Sequence, residues 1–153
     1  PELHPEDVVT VLERVVLYMD KRTSSKVVIT THFPDAPVVV GLVPSLFEWV
    51  AENLCKNAVD AMGGAGLIDL FVDEDDKFVY VEVKDSGKGI SKSNFTSVFK
   101  PGFTTKERGW GLGLSLAKRI VEEYHKGKIY VKESEVGVGT TFRIELPKEG
   151  VEM

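Results

Sequence analysis

The sequence lacks the features that mark secreted, membrane-spanning and nucleic-acid-binding proteins. Its 153 residues include one cysteine, Cys55, so no intrachain disulfide bond can form and we expect a reducing, cytoplasmic location. No signal-peptide pattern opens the chain, and its longest apolar runs are too short to span a bilayer. The net charge of -5 argues against a general nucleic-acid binder, which usually carries a basic face.

The length of the chain predicts a single domain over residues 1–153, and the sequence holds no repeats or low-complexity segments. The first residue is Pro1 rather than methionine, from which we expect the chain to be a fragment of a longer protein, although proteolytic processing would give the same start. That parent protein could carry a membrane anchor elsewhere.

Hydrophobic periodicity predicts three substantial helices and five longer strands. We expect helices over 6–22, 44–62 and 113–126, strands over 26–31, 67–72, 77–85, 128–134 and 140–146, and a short extended piece at 38–41. Strands and helices do not alternate strictly, which disfavours a doubly wound parallel sheet. The predicted fold class is therefore α+β, a two-layer sandwich in which about three helices cover one face of a mixed sheet.

The second predicted helix carries two asparagines on one flank of its buried stripe. Asn53 and Asn57 are four residues apart and project together at the edge of the core. An amide oxygen suits Mg²⁺, and an amide NH₂ can donate to a phosphate oxygen. Two polar residues at a core margin explain the same spacing. Glu48, Glu52 and Lys56 fall on the far side, where their spacing suits surface ion pairs.

A carboxylate ends the row of inward residues on the predicted strand 77–85. Asp85 continues the alternation of three valines, and a buried carboxylate needs a partner, such as an exocyclic amine. Alternatively it caps the following turn. Gly87 and Gly89 follow it and permit close backbone approach. Thr140 lies on the inward face of the last strand and could share a partner with Asp85.

A long loop rich in glycine, serine and threonine precedes the third helix, and loops of such length are usually functional. Gly109, Gly111 and Gly113 lead into that helix, whose exposed amides form a potential phosphate site. This run follows a loop rather than a strand, so it is not a dinucleotide-binding fingerprint. No Gly-Lys-Ser or Gly-Lys-Thr phosphate loop occurs in the chain.

The order of these motifs resembles that of sensor histidine kinases over residues 6–147. The similar segments are Asn53-Leu-Cys-Lys-Asn57-Ala (N box), Asp85-Ser-Gly-Lys-Gly89 (first glycine box), Phe99-Lys-Pro-Gly-Phe103-Thr-Thr-Lys106 (F box), Gly109-Trp-Gly-Leu-Gly113 (second glycine box) and the closing strand Gly137-Val-Gly139-Thr140-Thr-Phe142. The wider superfamily includes gyrase B, Hsp90 and the mismatch-repair ATPase. The resemblance implies their shared ATP-binding α/β sandwich, the Bergerat-type fold.

The resemblance implies ATP and Mg²⁺ as cofactors. Asp85 would accept the adenine amino group, and Thr140 would support it through a water. Asn57 would coordinate Mg²⁺, Asn53 and Lys56 would lie near the phosphates, and these three would be the catalytic residues.

The resemblance also implies a mobile ATP lid over 91–112, with Gly111, Leu112 and Gly113 closing on the phosphates. The remaining nucleotide-binding residues that it implies are Gly87, Gly89, Ile90, Phe99, Thr105, Lys106, Gly109 and Leu114.

The sequence departs from the family pattern in two ways. ATP-hydrolysing relatives carry a glutamate that activates water where this chain has Asn53, so we expect poor hydrolysis. The histidine that accepts the phosphoryl group lies on a helical hairpin in this family, and His4, His32 and His125 are poor candidates for it. We expect these three to be solvated or structural and the hairpin to belong to the parent kinase, a homodimer that phosphorylates a response regulator indirectly.

The leading hypothesis is therefore the catalytic ATP-binding domain of a sensor histidine kinase. A serine protein kinase of the anti-sigma-factor type shares these boxes and lacks the hairpin. A third possibility is a non-catalytic scaffold that senses ATP, which the intact set of Asn53, Asn57 and Asp85 disfavours.

Overall fold

A computed structural model of the protein describes residues 2–103 and 113–148. Its helices are α1 (Val8–Arg22), α2 (Pro44–Ala61) and α3 (Gly113–Arg119), the last continuing as a π-helical turn at Ile120–Tyr124. Its strands are β1 (His4–Asp7), β2 (Val27–His32), β3 (Val39–Leu42), β4 (Gly66–Glu74), β5 (Phe78–Asp85), β6 (Lys128–Glu135) and β7 (Gly139–Pro147). Within the described residues, no helix is long and apolar enough to cross a membrane.

The main sheet has five strands in the order β2-β4-β5-β7-β6. The β2–β4 pair is parallel and the other pairs are antiparallel, so the sheet is mixed. Alternate residues of β4, β5 and β7 are buried beneath the helices, while the opposite face is open. The predicted sandwich of helices on one face of a mixed sheet is confirmed. A separate two-stranded sheet joins β1 to β3.

The first helix begins later than its hydrophobic pattern predicts. Glu6 and Asp7 were expected to be helical, but they pair with Val40 and Val39 in the small sheet. The Asp7 carboxylate caps α1, because its Oδ1 accepts hydrogen bonds from Val9 N–H at 3.0 Å and from Val38 N–H at 3.1 Å. An aspartate at this position satisfies amides that the first helical turn leaves without partners.

The second helix begins at Pro44 and forms the centre of the helical layer. Its buried residues are Phe47, Val50, Ala51, Leu54, Cys55 and Ala58. Burial raises the pKa of the Cys55 thiol to about 12, so this cysteine packs as an unreactive core residue. The helix contacts α1, β4, β5 and α3, and it therefore links the two ends of the site described below.

The third helix departs from a regular α-helix at its C-terminal end. The apolar spacing of the predicted helix 113–126 places Leu116 and Tyr124 inward with Ala117, Ile120 and Val121, but these two side chains are 43% and 38% exposed. The π-helical turn holds more residues per turn than an α-helix, which rotates Tyr124 outward and the next residue inward. Leu116 lies at the edge of the apolar stripe, about 100° around the helix from buried Ala117. His125 is consequently 1% exposed.

Candidate functional site

The inner face of the sheet carries a buried carboxylate beside a buried hydroxyl. Asp85 ends β5 and Thr140 begins the inward row of β7, and the two residues are direct cross-strand partners. They are 6% and 4% exposed. Side chains opposite one another in an antiparallel pair lie about 5 Å apart at Cβ. The structure thus brings together two residues that the sequence analysis connected.

The Asp85 carboxylate is held as an acceptor by backbone amides. Its Oδ1 accepts a hydrogen bond from Gly87 N–H at 2.8 Å, so one oxygen caps the turn that follows β5. Burial raises the pKa of Asp85, and hydrogen bonds from the backbones of Gly87 and Thr140 act in the opposite direction. A buried carboxylate with amide donors on one side is suited to binding a further donor.

A serine that the sequence analysis missed bridges three parts of this region. Ser134 Oγ lies 2.7 Å from Ile90 N, 2.9 Å from Gly139 O and 2.7 Å from Thr140 Oγ1. Simple alternation from the buried residues Ile129 and Val131 would place Ser134 on the opposite face. The register of β6 shifts between Val131 and Glu133, however, and this irregularity turns Ser134 inward, opposite Thr140.

The glycine-containing turn after β5 is clamped from two sides. Lys88 N–H donates to Ala61 O at the end of α2 at 2.9 Å, and Lys88 O accepts from Gly137 N–H at 2.8 Å. Gly89 has a φ of +79°, and a Cβ there would lie 2.2 Å from Glu135 O. A side chain at Gly89 would therefore displace the β6–β7 hairpin from this turn.

At the other end of the site, α2 meets the start of α3. The half-buried Asn53 has a buried Nδ2 with no hydrogen-bond partner among the described residues. Gly113 lies directly against it, since a Cβ at Gly113 would be 2.8 Å from Asn53 Nδ2. Asn57, also half-buried, lies one turn further along α2. A buried amide donor without a partner usually indicates a missing group, which a phosphate oxygen would supply.

Two charged residues of α2 contact residues of α1. Arg14 Nε donates to Glu48 Oε1 at 2.5 Å, and Lys56 Nζ lies 5.6 Å from the centre of the Tyr18 ring. Glu48 thus forms a surface ion pair, with a partner on α1. A role for Lys56 near the phosphates stays a prediction.

The residues after the glycine turn are packed at their centre. Two 3₁₀ turns occupy Lys92–Asn94 and Ser97–Phe99, and Val98 and Phe99 are buried. Phe99 packs edge-on against Phe142 with ring centres 5.9 Å apart. The first part of the predicted lid 91–112 therefore packs against the core, and the mobility of the lid stays a prediction. Ile90 and Leu114 are half-buried and pack against the core.

Several predicted nucleotide contacts lie outside the described residues. They are Thr105, Lys106, Gly109, Gly111 and Leu112, together with the rest of the lid over 104–112.

The three histidines have structural or solvated positions. His4 is exposed on β1, and His32 is exposed, with Nε2 lying 2.8 Å from Asp69 Oδ1 and its ring stacked on Phe71. His125 Nε2 accepts from Val43 N–H at 3.1 Å, and Nδ1 donates to Ile120 O at 3.1 Å. Both ring nitrogens of His125 are thus occupied in the core.

Two other features bear on ligands. In the described ranges, no group of three or more His, Cys, Asp or Glu side chains could hold a metal ion. The Mg²⁺ site that the resemblance implies at Asn57 stays a prediction. One protein oxygen suffices for Mg²⁺ that also binds phosphates and water. A cavity of about 510 Å³ lies at the starts of β4 and β7 and the ends of β5 and β6, and its lining includes Asp85, Ser134 and Thr140 as well as Asp69, Lys84 and Thr141. The two buried residues of the cross-strand pair therefore line the same cavity as residues that alternate with them along the strands.

Comparison with known proteins assigns the chain to a family. Residues 43–150 match the family of histidine kinase-, DNA gyrase B-, and HSP90-like ATPases, and the chain belongs to that family. Sporulation kinase A of Bacillus subtilis (strain 168) is 37% identical over 121 residues, which are 79% of this chain and 20% of that protein. The solved catalytic domain of the histidine kinase ThkA is 30% identical with a TM-score of 0.85, covering 97% of each chain.

Within this family, the chain is a catalytic ATP-binding domain of the sensor histidine kinase type, as predicted. It spans about a fifth of the length of the curated relative described above (20%). A structure of ThkA in complex with the response regulator protein TrrA is also similar, at 28% identity and a TM-score of 0.81, covering 95% of this chain and 42% of that one.

Proposed function

We propose that the domain binds Mg²⁺-ATP between α2, the glycine turn after β5 and the start of α3, and donates the γ-phosphoryl group to a histidine on a separate helical hairpin domain. The observation that carries this proposal is that two sets of buried polar groups, one at each end of the site beneath the helices, are positioned to hydrogen-bond to a ligand. Buried acceptors, Asp85 and Thr140, lie at one end, and a buried amide donor without a partner among the described residues, Asn53 Nδ2, lies at the other.

The base would bind at the acceptor end. Asp85 would accept a hydrogen bond from the exocyclic amine of adenine, because its carboxylate is held facing the helical layer by backbone amides. Family membership supports ATP as the nucleotide.

The phosphates would bind at the amide end. Asn53 Nδ2 would donate to a phosphate oxygen, and Asn57 would hold Mg²⁺ through its amide oxygen. When bound, Mg²⁺ neutralises charge on the β- and γ-phosphate oxygens. The close contact of Gly113 with Asn53 would bring the first amides of α3 to the same oxygens.

In the transfer step, a ring nitrogen of the acceptor histidine forms a bond to the γ-phosphorus. The bond from that phosphorus to the β,γ-bridging oxygen breaks, ADP leaves with its electron pair, and the imidazole releases a proton to solvent. Positioning and charge stabilisation supply most of the catalysis in such reactions. Asn53 cannot act as a base toward water, which favours transfer over hydrolysis.

The partners proposed are a helical hairpin domain of a homodimeric parent kinase and, indirectly, a response regulator in the cytoplasm. The complex of ThkA with TrrA supports a regulator of this class. The matched relative is named a kinase of the same family, which favours histidine over serine as the acceptor.

The test combines this chain, Mg²⁺-ATP labelled at the γ-phosphate and the purified hairpin domain of the parent kinase. We expect label on the hairpin histidine and negligible label on this chain alone. Two results would overturn the proposal: no transfer to the hairpin while Mg²⁺-ATP is bound, or stable phosphorylation of His4, His32 or His125. An Asn57→Ala variant serves as the matched control, because phosphotransfer that depends on the proposed site should be lost in it.

A further inference from the structure

The hydrogen bonds around Ser134 leave one consistent arrangement of their hydrogens. Ile90 N, Gly139 O and Thr140 Oγ1 all lie within 2.9 Å of Ser134 Oγ. The Ile90 amide can only donate, and the Gly139 carbonyl can only accept. The Ser134 hydroxyl hydrogen must therefore point to Gly139 O, since two oxygens at that distance without a hydrogen between them would repel.

Thr140 then has to donate to Ser134. The 2.7 Å contact between the two hydroxyl oxygens needs a hydrogen, and the one from Ser134 is already directed at Gly139 O. The three contacts use three hydrogens, one each from Ile90, Ser134 and Thr140. Thr140 Oγ1 is left with lone pairs alone, so toward any bound ligand it can accept a hydrogen bond and cannot donate one.

The residue opposite Thr140 on β5 is also a hydrogen-bond acceptor. Asp85 lies directly across from Thr140, and as a carboxylate it also accepts only. The backbone amides of Gly87 and Thr140 stabilise its charged form against the effect of burial. The buried floor of the base site is thus lined by acceptors on both strands.

We propose that Ser134 is a specificity-determining positioning residue, which orients the Thr140 hydroxyl so that the site selects a purine carrying an amino group at C6 over one carrying a carbonyl. This inference rests on the proposed function, because it assumes that the nucleotide base binds beside Asp85. A carbonyl placed against two fixed acceptors is repelled and leaves both without a donor. Sites built to pair with a polar group discriminate strongly against analogues that lack it.

The register irregularity in β6 gives this role a structural origin. Without the shift between Val131 and Glu133, Ser134 would lie on the open face of the sheet and Thr140 would have no hydroxyl acceptor there. The same serine fixes Ile90 at the end of the glycine turn, so one side chain sets the position of the turn and the polarity of the hydroxyl.

The experiment compares the affinities of the chain for Mg²⁺-ATP and for Mg²⁺-inosine triphosphate, which differ in the group at C6. In the Ser134→Ala variant, the Thr140 hydroxyl loses its acceptor and can turn its hydrogen toward the base. We expect the ratio of the two affinities to narrow by about tenfold, through weaker ATP binding and stronger inosine triphosphate binding. Calorimetry measures both constants, and thermal melting checks the fold.

Matched variants separate orientation from mere structural support. Ser134→Thr restores a hydroxyl and should recover the wild-type preference to within about twofold. Thr140→Val removes the oriented acceptor and should narrow the ratio, with no further narrowing when it is combined with Ser134→Ala. If Ser134→Ala unfolds, the other two variants decide. The proposal is supported if Ser134→Thr keeps the preference for ATP over inosine triphosphate while Thr140→Val reduces it. Equal effects of these two variants on that preference overturn the proposal.

The failure of this inference is distinguishable from failure of the proposed function. A wild-type chain that prefers ATP, together with a Ser134→Ala variant that loses both affinities by the same factor, overturns the role of Ser134 alone. A wild-type chain that binds neither nucleotide overturns the proposed function and, with it, this inference.

Discussion

Two buried polar clusters in this domain differ in how completely the fold satisfies them. His125 is 1% exposed, and both of its ring nitrogens hydrogen-bond to backbone groups, those of Val43 and Ile120. Its ring also packs edge-on against Phe47, with centres 5.7 Å apart. Asn53, by contrast, keeps a buried amide nitrogen without a partner in the described ranges. The first cluster is complete within the chain, whereas the second is suited to a ligand.

The electrostatics of the two clusters follow the same division. Burial lowers the pKa of His125 and so favours its neutral form, which is the form that its two hydrogen bonds require. Burial raises the pKa of Asp85, yet the proposed function needs that group charged. The histidine is therefore favoured in the state that stabilises the fold, whereas burial of the aspartate opposes the charge that the proposed function needs.

The largest expected effect is on folding, from His125→Ala. The change removes two hydrogen bonds and opens a cavity against Phe47, so we expect a loss of about 2–4 kcal/mol of unfolding free energy. Denaturant unfolding measures this loss. Tyr124→Ala, at the exposed neighbouring position, should change stability far less. Similar losses in the two variants would show that the histidine cluster is not a stabilising element.

Asp85→Asn should reduce ATP affinity rather than folding stability. Loss of a charge-assisted hydrogen bond should weaken ATP binding by about 1.5–3 kcal/mol. The melting temperature should stay level or rise, because the buried charge is removed. The control is Asp75→Asn in the β4–β5 turn, where bonds from Tyr80, Phe78 and Lys77 lower the carboxyl pKa. That variant should lose stability and keep its ATP affinity. Unchanged affinity in Asp85→Asn, measured by calorimetry, would refute the assignment.

Asn57→Ala tests the phosphate end of the site. We expect at least about a tenfold loss of phosphotransfer to the hairpin, roughly 1.4 kcal/mol, with a smaller change in melting temperature. Glu52→Gln, on the same helix, should transfer at the wild-type rate, which would also show that Glu52 is not a general base. If the melting temperature of Asn57→Ala falls in proportion to its loss of phosphotransfer, then Asn57 is a structural residue.

The smallest effect concerns pH. The lowered pKa of His125 means that the unfolded chain binds a proton more readily, so stability should fall as the pH drops below about 6.5, the ordinary histidine value. Above that pH the residue contributes no slope. The raised pKa of Asp85 acts with the opposite sign, increasing stability on acidification toward its ordinary value of 3.8. Urea unfolding of wild type and His125→Gln at pH 7.5, 6.5 and 5.5 checks this, since the variant should lose the slope.

The sequence predicted the main elements because their apolar spacing is regular. The rows of β5 and β7 alternate without interruption, which is why Asp85 and Thr140 were placed on one face before their pairing was known. Prediction failed where the backbone departs from regular geometry. Because of the irregularity in β6, regular alternation did not predict that Ser134 faces inward. Because of the π-helical turn, α-helical spacing did not predict that His125 is buried.

The start of α1 failed for another reason. Asp7 accepts hydrogen bonds from an amide of α1 and from the amide of Val38, just before β3, a tertiary arrangement that local spacing does not encode. The unpartnered amide of Asn53 likewise depends on the approach of Gly113, which is distant in sequence.

The position of β7 has a consequence for how the domain is made. This strand is the last in the described part of the chain, yet it lies between β5 and β6 and supplies Thr140 beside Asp85. During synthesis, β5 leaves the ribosome with one side unpaired and waits for a partner that arrives some fifty residues later in the chain (Asp85 with Thr140). The nascent domain therefore cannot form its base site before β7 has been synthesised. A chain truncated before residue 139 should not bind ATP.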